Sequence, residues 1–382
     1  MPKIKPGSKA SAIVVGAGIV GLATARALVS KGYQVTVMER SGHAVGASVR
    51  NFGMLWPIGQ PDGVLYNRAV RSTNLWKEMA REAGIWYDEC GSLHLAYHRD
   101  EWEVLQELHA IFSKSYRGVK LLSAPDIAKK ARDVNPVNLL GGLFSETETI
   151  IDPREAILTL ARLLEQKYGV KFVWGKCVTA AETGRVWIGR EPVQADIICI
   201  CSGADFETLY PDRFSELAIT KCKLQMMRFK NSGPNNRIGT SLCGGLSLVH
   251  YESFKAAPSL PLLKERYSLE MPDYLNNGIH VMVSQNGQGE LTVGDSHHYG
   301  TTFSPFDDAG INELILDYLK TFAKTDHWHL IQSWHGLYPK MTDGRTEIFM
   351  EADQEVYIIN GVGGAGMTLS FGLAEEIVEK IC

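Results

Sequence analysis

No apolar run in this 382-residue chain approaches the roughly 20 residues needed to cross a bilayer, so a membrane-spanning helix is not expected. Cysteine is sparse and scattered: the seven residues Cys90, Cys177, Cys199, Cys201, Cys222, Cys243 and Cys382 include no CxxC pair. Neither a disulfide framework nor a zinc site is indicated, and a reducing cytoplasm fits this usage. An excess of one charge is also lacking. Lys plus Arg number 39 against 43 acidic residues, a formal charge of -4, which gives no electrostatic reason to expect nucleic acid or an anionic membrane as partner. The start, MPKIKPGSKASAIVVGAG, is basic but runs into turn residues without an apolar core, so a secretory signal is not expected. No repeat or low-complexity tract is visible. What is present is an ordinary globular composition, long enough for about two domains, with a small molecule as the expected ligand.

Residues 11 to 40, SAIVVGAGIVGLATARALVSKGYQVTVMER, carry the strongest signal. An apolar strand, Ile13 to Val15, meets Gly16-Ala17-Gly18-Ile19-Val20-Gly21; a helix follows to about Ser30, then a second strand, Val35 to Met38, closed by Glu39. This is a complete βαβ unit. One glycine permits a tight turn, one lets the backbone approach a pyrophosphate, and one lets helix and strand pack closely. Glu39 is placed to accept hydrogen bonds from a ribose, and an acid there argues against the 2′-phosphate of NADP, although Arg40 stands beside it. The ligand is FAD or NAD.

The opposite terminus separates the two. EVYIINGVGGAGMTLSFGLAEEIVEKI presents a strand, Val356 to Ile359, the glycine-rich turn Gly361 to Gly366, and a helix beginning near Met367. A helix N-terminus offers unsatisfied N–H groups and partial positive charge, which suit the anionic edge of a reduced flavin and which a nicotinamide does not need.

IVVGAGIVGLATARALVSKGYQVTVMER, IIDPREAILTLARLLEQKYGVKFVWGKCV, ADIICICSGAD, SWHGLYPKMTDGRTEIF and INGVGGAGMTLSFGLAEEIV occur in the order seen in the D-amino-acid oxidase, glycine oxidase and sarcosine oxidase superfamily. The chain resembles that superfamily over nearly its whole length. The resemblance implies an α/β fold in which a Rossmann-type FAD-binding domain, discontinuous over 10–90, 145–215 and 330–382, carries a second, antiparallel-sheet substrate domain (α+β) from 91–144 and 216–329. It implies FAD lying lengthwise, with pyrophosphate at Gly16, Gly18 and Gly21, ribose at Glu39, adenine near Val178, and Ala17, Arg40, Ser202 and Gly203 also in the cofactor set. The flavin falls under Gly364, Ala365, Gly366, Met367 and Thr368, and the unusual stretch GASVRNFGMLWPIGQ supplies Ala47, Ser48, Asn51, Gly53 and Met54 as its neighbours. A backbone that must approach a flat ring favours glycine, and amide groups suit the ring's polar edge.

The family's reaction is hydride transfer from an amine-bearing carbon to flavin, with oxygen or another electron acceptor completing the cycle; no obligatory acid or base is expected, and none is assigned. Where glycine and D-amino-acid oxidases carry a carboxylate-gripping arginine, this chain has Tyr338, and where sarcosine oxidases attach flavin through cysteine it has Gly336, so FAD is expected to be non-covalent. The SVRNFGMLWPIGQ segment is similar to that of a subgroup associated with bacterial phosphonate breakdown. This implies an aminoalkylphosphonate substrate, such as 2-aminoethylphosphonate or its N-methyl form, alongside the alternatives of glycine, sarcosine or D-amino-acid oxidation, or hydroxy-acid dehydrogenation with quinone. Arg50, His298, Tyr338 and Trp334 are the candidate substrate residues, with Ser296, His297 and Tyr299 as further donors. The His297-His298 pair has no other ligand at suitable spacing, so no metal is expected. Cys199 and Cys201 are read as packing residues on opposite faces of a strand, and Arg68 and Arg71 as a solvated helix face.

Overall fold

The computed structural model describes residues 10–233 and 237–382; most of the basic start lies outside them. Among the described residues, six strands form one sheet in the order Ile348–Asp353, Val356–Asn360, Ile197–Ile200, Ser11–Val15, Gln34–Glu39, Lys171–Trp174. All neighbours are parallel except the Ile348–Asp353 edge. The central strands are near-continuous apolar runs, as burial on both faces requires: every residue of Ile197–Ile200 and Val356–Asn360 is buried. Helix Ile19–Ser30 turns its small residues Gly21, Ala23 and Ala25 inward, and it packs with Val64–Ala83 and Gly366–Ile381 as one layer. Cys199 and Cys201 both enter this layer's core. Residues two apart on a strand share a face, which corrects the expectation of opposite faces.

The second sheet is built on two long strands, Ile219–Asn231 and Trp328–Met341, antiparallel along their whole lengths. Glu290–Gly294 and Met282–Gln285 continue it antiparallel, so the segments CKLQMMRF, GIHVMVSQ and ELTVGD all contribute to it. Trp328–Met341, most of which falls in the stretch from 330 assigned to the FAD-binding unit, is hydrogen-bonded into this second sheet. A three-stranded meander, Val178–Glu182, Arg185–Ile188 and Glu191–Gln194, flanks the first sheet. Short strands Met54–Leu55 and Thr149–Ile151 pair between the two sheets' helices and loops.

The helix layer is tied electrostatically. Arg68 is not solvated but 6% exposed, donating to Glu376 Oε2 from Nε at 3.0 Å and from Nη2 at 2.6 Å, and to Glu347 Oε1 at 2.9 Å. Arg71 joins Glu376 from the outside. The planar guanidinium thereby pins helix Val64–Ala83 to the C-terminal helix. Trp76, a buried core residue, adds a hydrogen bond from Nε1 to Met367 O at 2.8 Å.

Two stability predictions follow from this packing. Arg68→Ala is expected to destabilise by about 2–3 kcal/mol, below the ~3–5 kcal/mol of a fully buried pair because both glutamates retain some solvent; chemical denaturation measures it. His94 is fully buried between Trp56 and Phe254, and desolvation lowers its pKa from 6.5 to about 3. The folded state disfavours the charged ring, so its stability contribution is complete above 6.5 and is lost as pH falls towards about 3. His94→Gln should reduce the acid-side slope of stability by up to about 1.4 kcal/mol per pH unit.

Candidate active site

A cavity of about 1010 Å³ is walled by both sheets, at the upper end of the ~300–1,000 Å³ usual for cofactor and ligand sites. Its dinucleotide end is shaped by glycines that cannot be replaced without displacing backbone. Gly16 has φ +105°, and a Cβ there would lie 2.3 Å from the Cys201 carbonyl oxygen; one on Gly21 would lie 1.9 Å from the Gly16 carbonyl oxygen. Gly16 and Gly18 line the cavity, whereas Gly21 holds helix against turn. No side chain caps Gly18, and the Ile19 N–H donates to Ser48 Oγ at 2.9 Å. Glu39 lines the cavity with Oε2 accepting from Ala17 N and Oε1 from Ser41 N, each at 2.9 Å. Those bonds fix its orientation and leave lone pairs for ribose hydroxyls. Val178, Ser202 and Gly203 line the same end. Arg40 lines it too, but its guanidinium is paired to Asp205 at 2.6 Å.

At the other end, helix Gly366–Ile381 starts without a side-chain cap, and Gly364, Ala365, Gly366, Met367 and Thr368 line the cavity. Thr368 Oγ1 accepts from Trp56 N at 2.9 Å, which joins this helix to the segment read as the flavin's neighbour. An uncapped helix N-terminus, a glycine turn and an apolar wall of Met54 and Leu224 fit a flat, partly anionic ring system.

Several expectations change. Ala17, Gly21 and Gly53 do not line the cavity; Gly53 has φ +73° and a Cβ there would lie 1.8 Å from Ile151 O, so it serves the chain's path. Asn51 lines the cavity beside Ala47 and Ser48, yet its Nδ2 donates to Ala47 O and Ser48 O and its Oδ1 accepts from Gly53 N, so the amide shapes the loop. Arg50 and Tyr338 line the cavity. His298 and Trp334 do not: His298 Nε2 lies 3.0 Å from Asn277 Oδ1, and the Trp334 ring is covered by Arg154 at 4.7 Å. Ser296 is buried under Gln225 N, and Tyr299 is half exposed. Of the donors named after strand Glu290–Gly294, only His297 lines the cavity.

His297 has company that sequence spacing did not show. His250, His280 and Asp295 line the same end, with ring centroids 3.7 Å apart for His250 and His280 and 5.0 Å for His280 and His297. These three imidazoles come from three separate segments, a grouping that spacing along the chain does not display. Burial holds His250 and His280 well below the usual imidazole range, reinforced by neighbouring rings and by Lys340, and lowers His297 to about 4. All three are neutral at pH 7, while burial pushes the Asp295 carboxyl well above the usual range. Lys340, also missed, lines the cavity and donates to Tyr299 Oη at 3.2 Å. Alternation along strand Trp328–Met341 places Gly336, Tyr338 and Lys340 on one face, a signal that could have found it.

A glycine-turn dinucleotide cradle joined to an uncapped second helix N-terminus, beneath an antiparallel sheet, defines a dinucleotide-dependent oxidoreductase. The chain belongs to the FAD dependent oxidoreductase (DAO) family, whose profile matches residues 11–380. It is 28% identical over 242 residues to a tRNA 5-methylaminomethyl-2-thiouridine biosynthesis bifunctional protein of Pseudomonas paraeruginosa, covering 61% of this chain and 35% of that protein. It is 31% identical over 228 residues to the mitochondrial L-2-hydroxyglutarate dehydrogenase of Pongo abelii, covering 54% of this chain and 52% of that one. The matches thus span about a third to a half of these relatives' length. The fold is similar to a glycine oxidase structure from Bacillus cereus, with TM-score 0.79, 16% identity and coverage of 98% of this chain and 95% of the other. It is also similar to an L-proline dehydrogenase structure from P. horikoshii, with TM-score 0.78, 19% identity, and coverage of 98% and 93%. No described helix is long and apolar enough to cross a membrane.

Gly16→Ala tests the cradle. Its Cβ would meet backbone, and the left-handed φ adds strain, so a loss of about 2–4 kcal/mol and a clear drop in FAD per protein are expected. The flavin-to-protein absorbance ratio of the purified variant is the readout; an unchanged ratio removes Gly16 from the cradle.

Proposed function

We propose that this chain oxidises the C–N bond of a small primary or secondary amine that carries an anionic group, an aminoalkylphosphonate such as 2-aminoethylphosphonate or its N-methyl form. The observation that carries the reading is a cavity that joins the flavin end to two cations, Arg50 and Lys340, for which the described residues contain no ion-paired carboxylate. Among the described residues, Arg50 Nη1 donates to the carbonyl of His335, at 3.2 Å, and Lys340 Nζ to Tyr299 Oη. A dianion with three acceptor oxygens suits two separated cations and hydroxyl or imidazole donors better than the planar arginine fork of a carboxylate site. Tyr338, buried and with its hydroxyl pKa raised well above the usual value by desolvation, remains a neutral donor beside them.

FAD supplies the two-electron oxidant when bound. The chain's part is to hold the amine-bearing carbon against the ring, exclude water with Leu224, Met226, Met54 and Met282, and keep the anionic end apart from the reacting carbon. Cavity-lining cysteines are Cys177 and Cys201, both at the dinucleotide end, and Gly336 lies near the ring end, which supports a non-covalent cofactor. The methylaminomethyl group in one relative's name is consistent with a secondary amine. A second reading, oxidation of a hydroxy acid with electrons passed to a quinone, is favoured by the likeness to L-2-hydroxyglutarate dehydrogenase.

Anaerobic mixing of the FAD-loaded protein with glycine, sarcosine, a D-amino acid, 2-aminoethylphosphonate, its N-methyl form and L-2-hydroxyglutarate distinguishes these. Bleaching of the flavin band by the phosphonates alone is the expected result; bleaching by glycine or D-amino acids alone, or by the hydroxy acid alone, rejects it. Lys340→Met and Arg50→Met should each raise the KM for the anionic amine about 10–100-fold, or ~1.4–2.7 kcal/mol, with a smaller effect on kcat.

A further inference from the structure

The histidine cluster at the Lys340 end of the cavity lies apart from the glycine turns assigned to the flavin, and neutral rings alone do not explain its arrangement. His280, His297 and Asp295 are 3%, 7% and 4% exposed, and the His250 ring lies against His280 at an interplanar angle of 30°. One ligand atom from each of the three imidazoles lies within 4.8 Å of the others. Two polar atoms inside the cluster, His280 Nδ1 and Asp295 Oδ1, are buried without a hydrogen-bond partner. Burying an unpaired polar atom costs about 1–3 kcal/mol, so two in one place point to a missing partner.

The orientation of His297 identifies what kind of partner. Its Nδ1 lies 2.9 Å from the carbonyl of Gly278, which can only accept, so Nδ1 carries the proton and Nε2 presents a lone pair. That lone pair faces Asp295 Oδ2 at 3.8 Å, and His280 Nε2 lies 3.1 Å from Asp295 Oδ1, out of hydrogen-bond alignment. An imidazole lone pair and a carboxyl oxygen close together are both electron-pair donors, so the pair favours a cation between them over an anion. A backbone carbonyl on the far nitrogen is also how metal-ligating histidines are commonly held.

We infer that His250, His280 and His297 form a binding site for a divalent transition metal of the zinc type, with Asp295 beside it and the fourth coordination position open on the flavin cavity. Three imidazoles match the preference of such ions for nitrogen donors and leave one tetrahedral position free. Tetrahedral coordination at about 2.0–2.1 Å places ligand atoms roughly 3.3 Å apart. The imidazole ligand atoms, all within 4.8 Å of one another, would close by up to about 1.5 Å to reach it. With Lys340 facing the same cluster, the occupied site becomes a doubly cationic end, and an oxygen of the substrate's phosphonate or carboxylate fits the open position. This last statement rests on the anionic-amine reading above; the metal site itself does not.

The test uses full-length, FAD-loaded protein with the exposed cysteines Cys177 and Cys382 replaced by serine, treated with a chelator and desalted. Zn2+ is then titrated in by calorimetry. One equivalent is expected to bind, and His280→Ala and His297→Ala should weaken it at least tenfold while retaining flavin. His298→Ala, whose ring pairs with Asn277 outside the cavity, should not weaken it. No stoichiometric binding of Zn2+, or equal binding by all variants, overturns the site. Inorganic phosphate serves as the anion probe: at least tenfold tighter binding with Zn2+ present supports the open position. Phosphate binding that is lost in His280→Ala, in a protein that takes no Zn2+, makes the cluster an anion pocket and overturns the metal. Flavin bleaching by amines is read separately, so failure of the amine reading and failure of the metal site give different results.

Discussion

The seat of Gly21 on the Gly16 carbonyl is the constraint on which the cofactor end depends. No side chain can occupy that contact, since a Cβ would lie 1.9 Å from the carbonyl oxygen. It brings the start of helix Ile19–Ser30 directly onto the ends of strands Ser11–Val15 and Ile197–Ile200. Gly16 itself meets the Cys201 carbonyl and adopts a left-handed φ that only glycine takes without strain. The result is a helix N-terminus with backbone N–H groups close to the sheet's edge, the arrangement in which a pyrophosphate is stabilised by dipole and amides together.

The ring end is assembled differently, from parts distant in the chain. The C-terminal helix reaches the cavity because Arg68 and Trp76 of helix Val64–Ala83 hold it, and because Thr368 accepts a hydrogen bond from Trp56. The roof is strand Trp328–Met341, fixed by thirteen residues of antiparallel pairing to Ile219–Asn231. Arg50, whose backbone oxygen receives Trp334 Nε1 at 3.4 Å, links that roof to the floor. Each contact buries polar atoms against polar atoms, so the cavity keeps its shape while its walls stay mostly apolar.

Which parts were legible in the chain follows from the range of the physics involved. The glycine turns, Glu39 and the strand–helix–strand order are local patterns whose period shows directly, and each was found where expected. His298 was named where its neighbour His297 lines the cavity, because along a strand one residue decides the face. Trp334 shares a face with Tyr338, yet it lies beyond the cavity's end, and no sequence period marks where a cavity stops. Asn51 and Gly53 look like ligand contacts in composition, but their hydrogen bonds and backbone angles serve the loop itself.

The amino-acid sequence by itself determined the βαβ unit, the second glycine-led helix and hence the class of cofactor, because turn sterics and helix dipoles act over a few residues. Only the tertiary structure decided that Lys340 lines the cavity and that His250, His280, Asp295 and His297 come together at one end of it. That convergence joins residues far apart in the chain through the pairing of whole strands. Desolvation, charge and ligand geometry act through space, and no spacing along the chain records them.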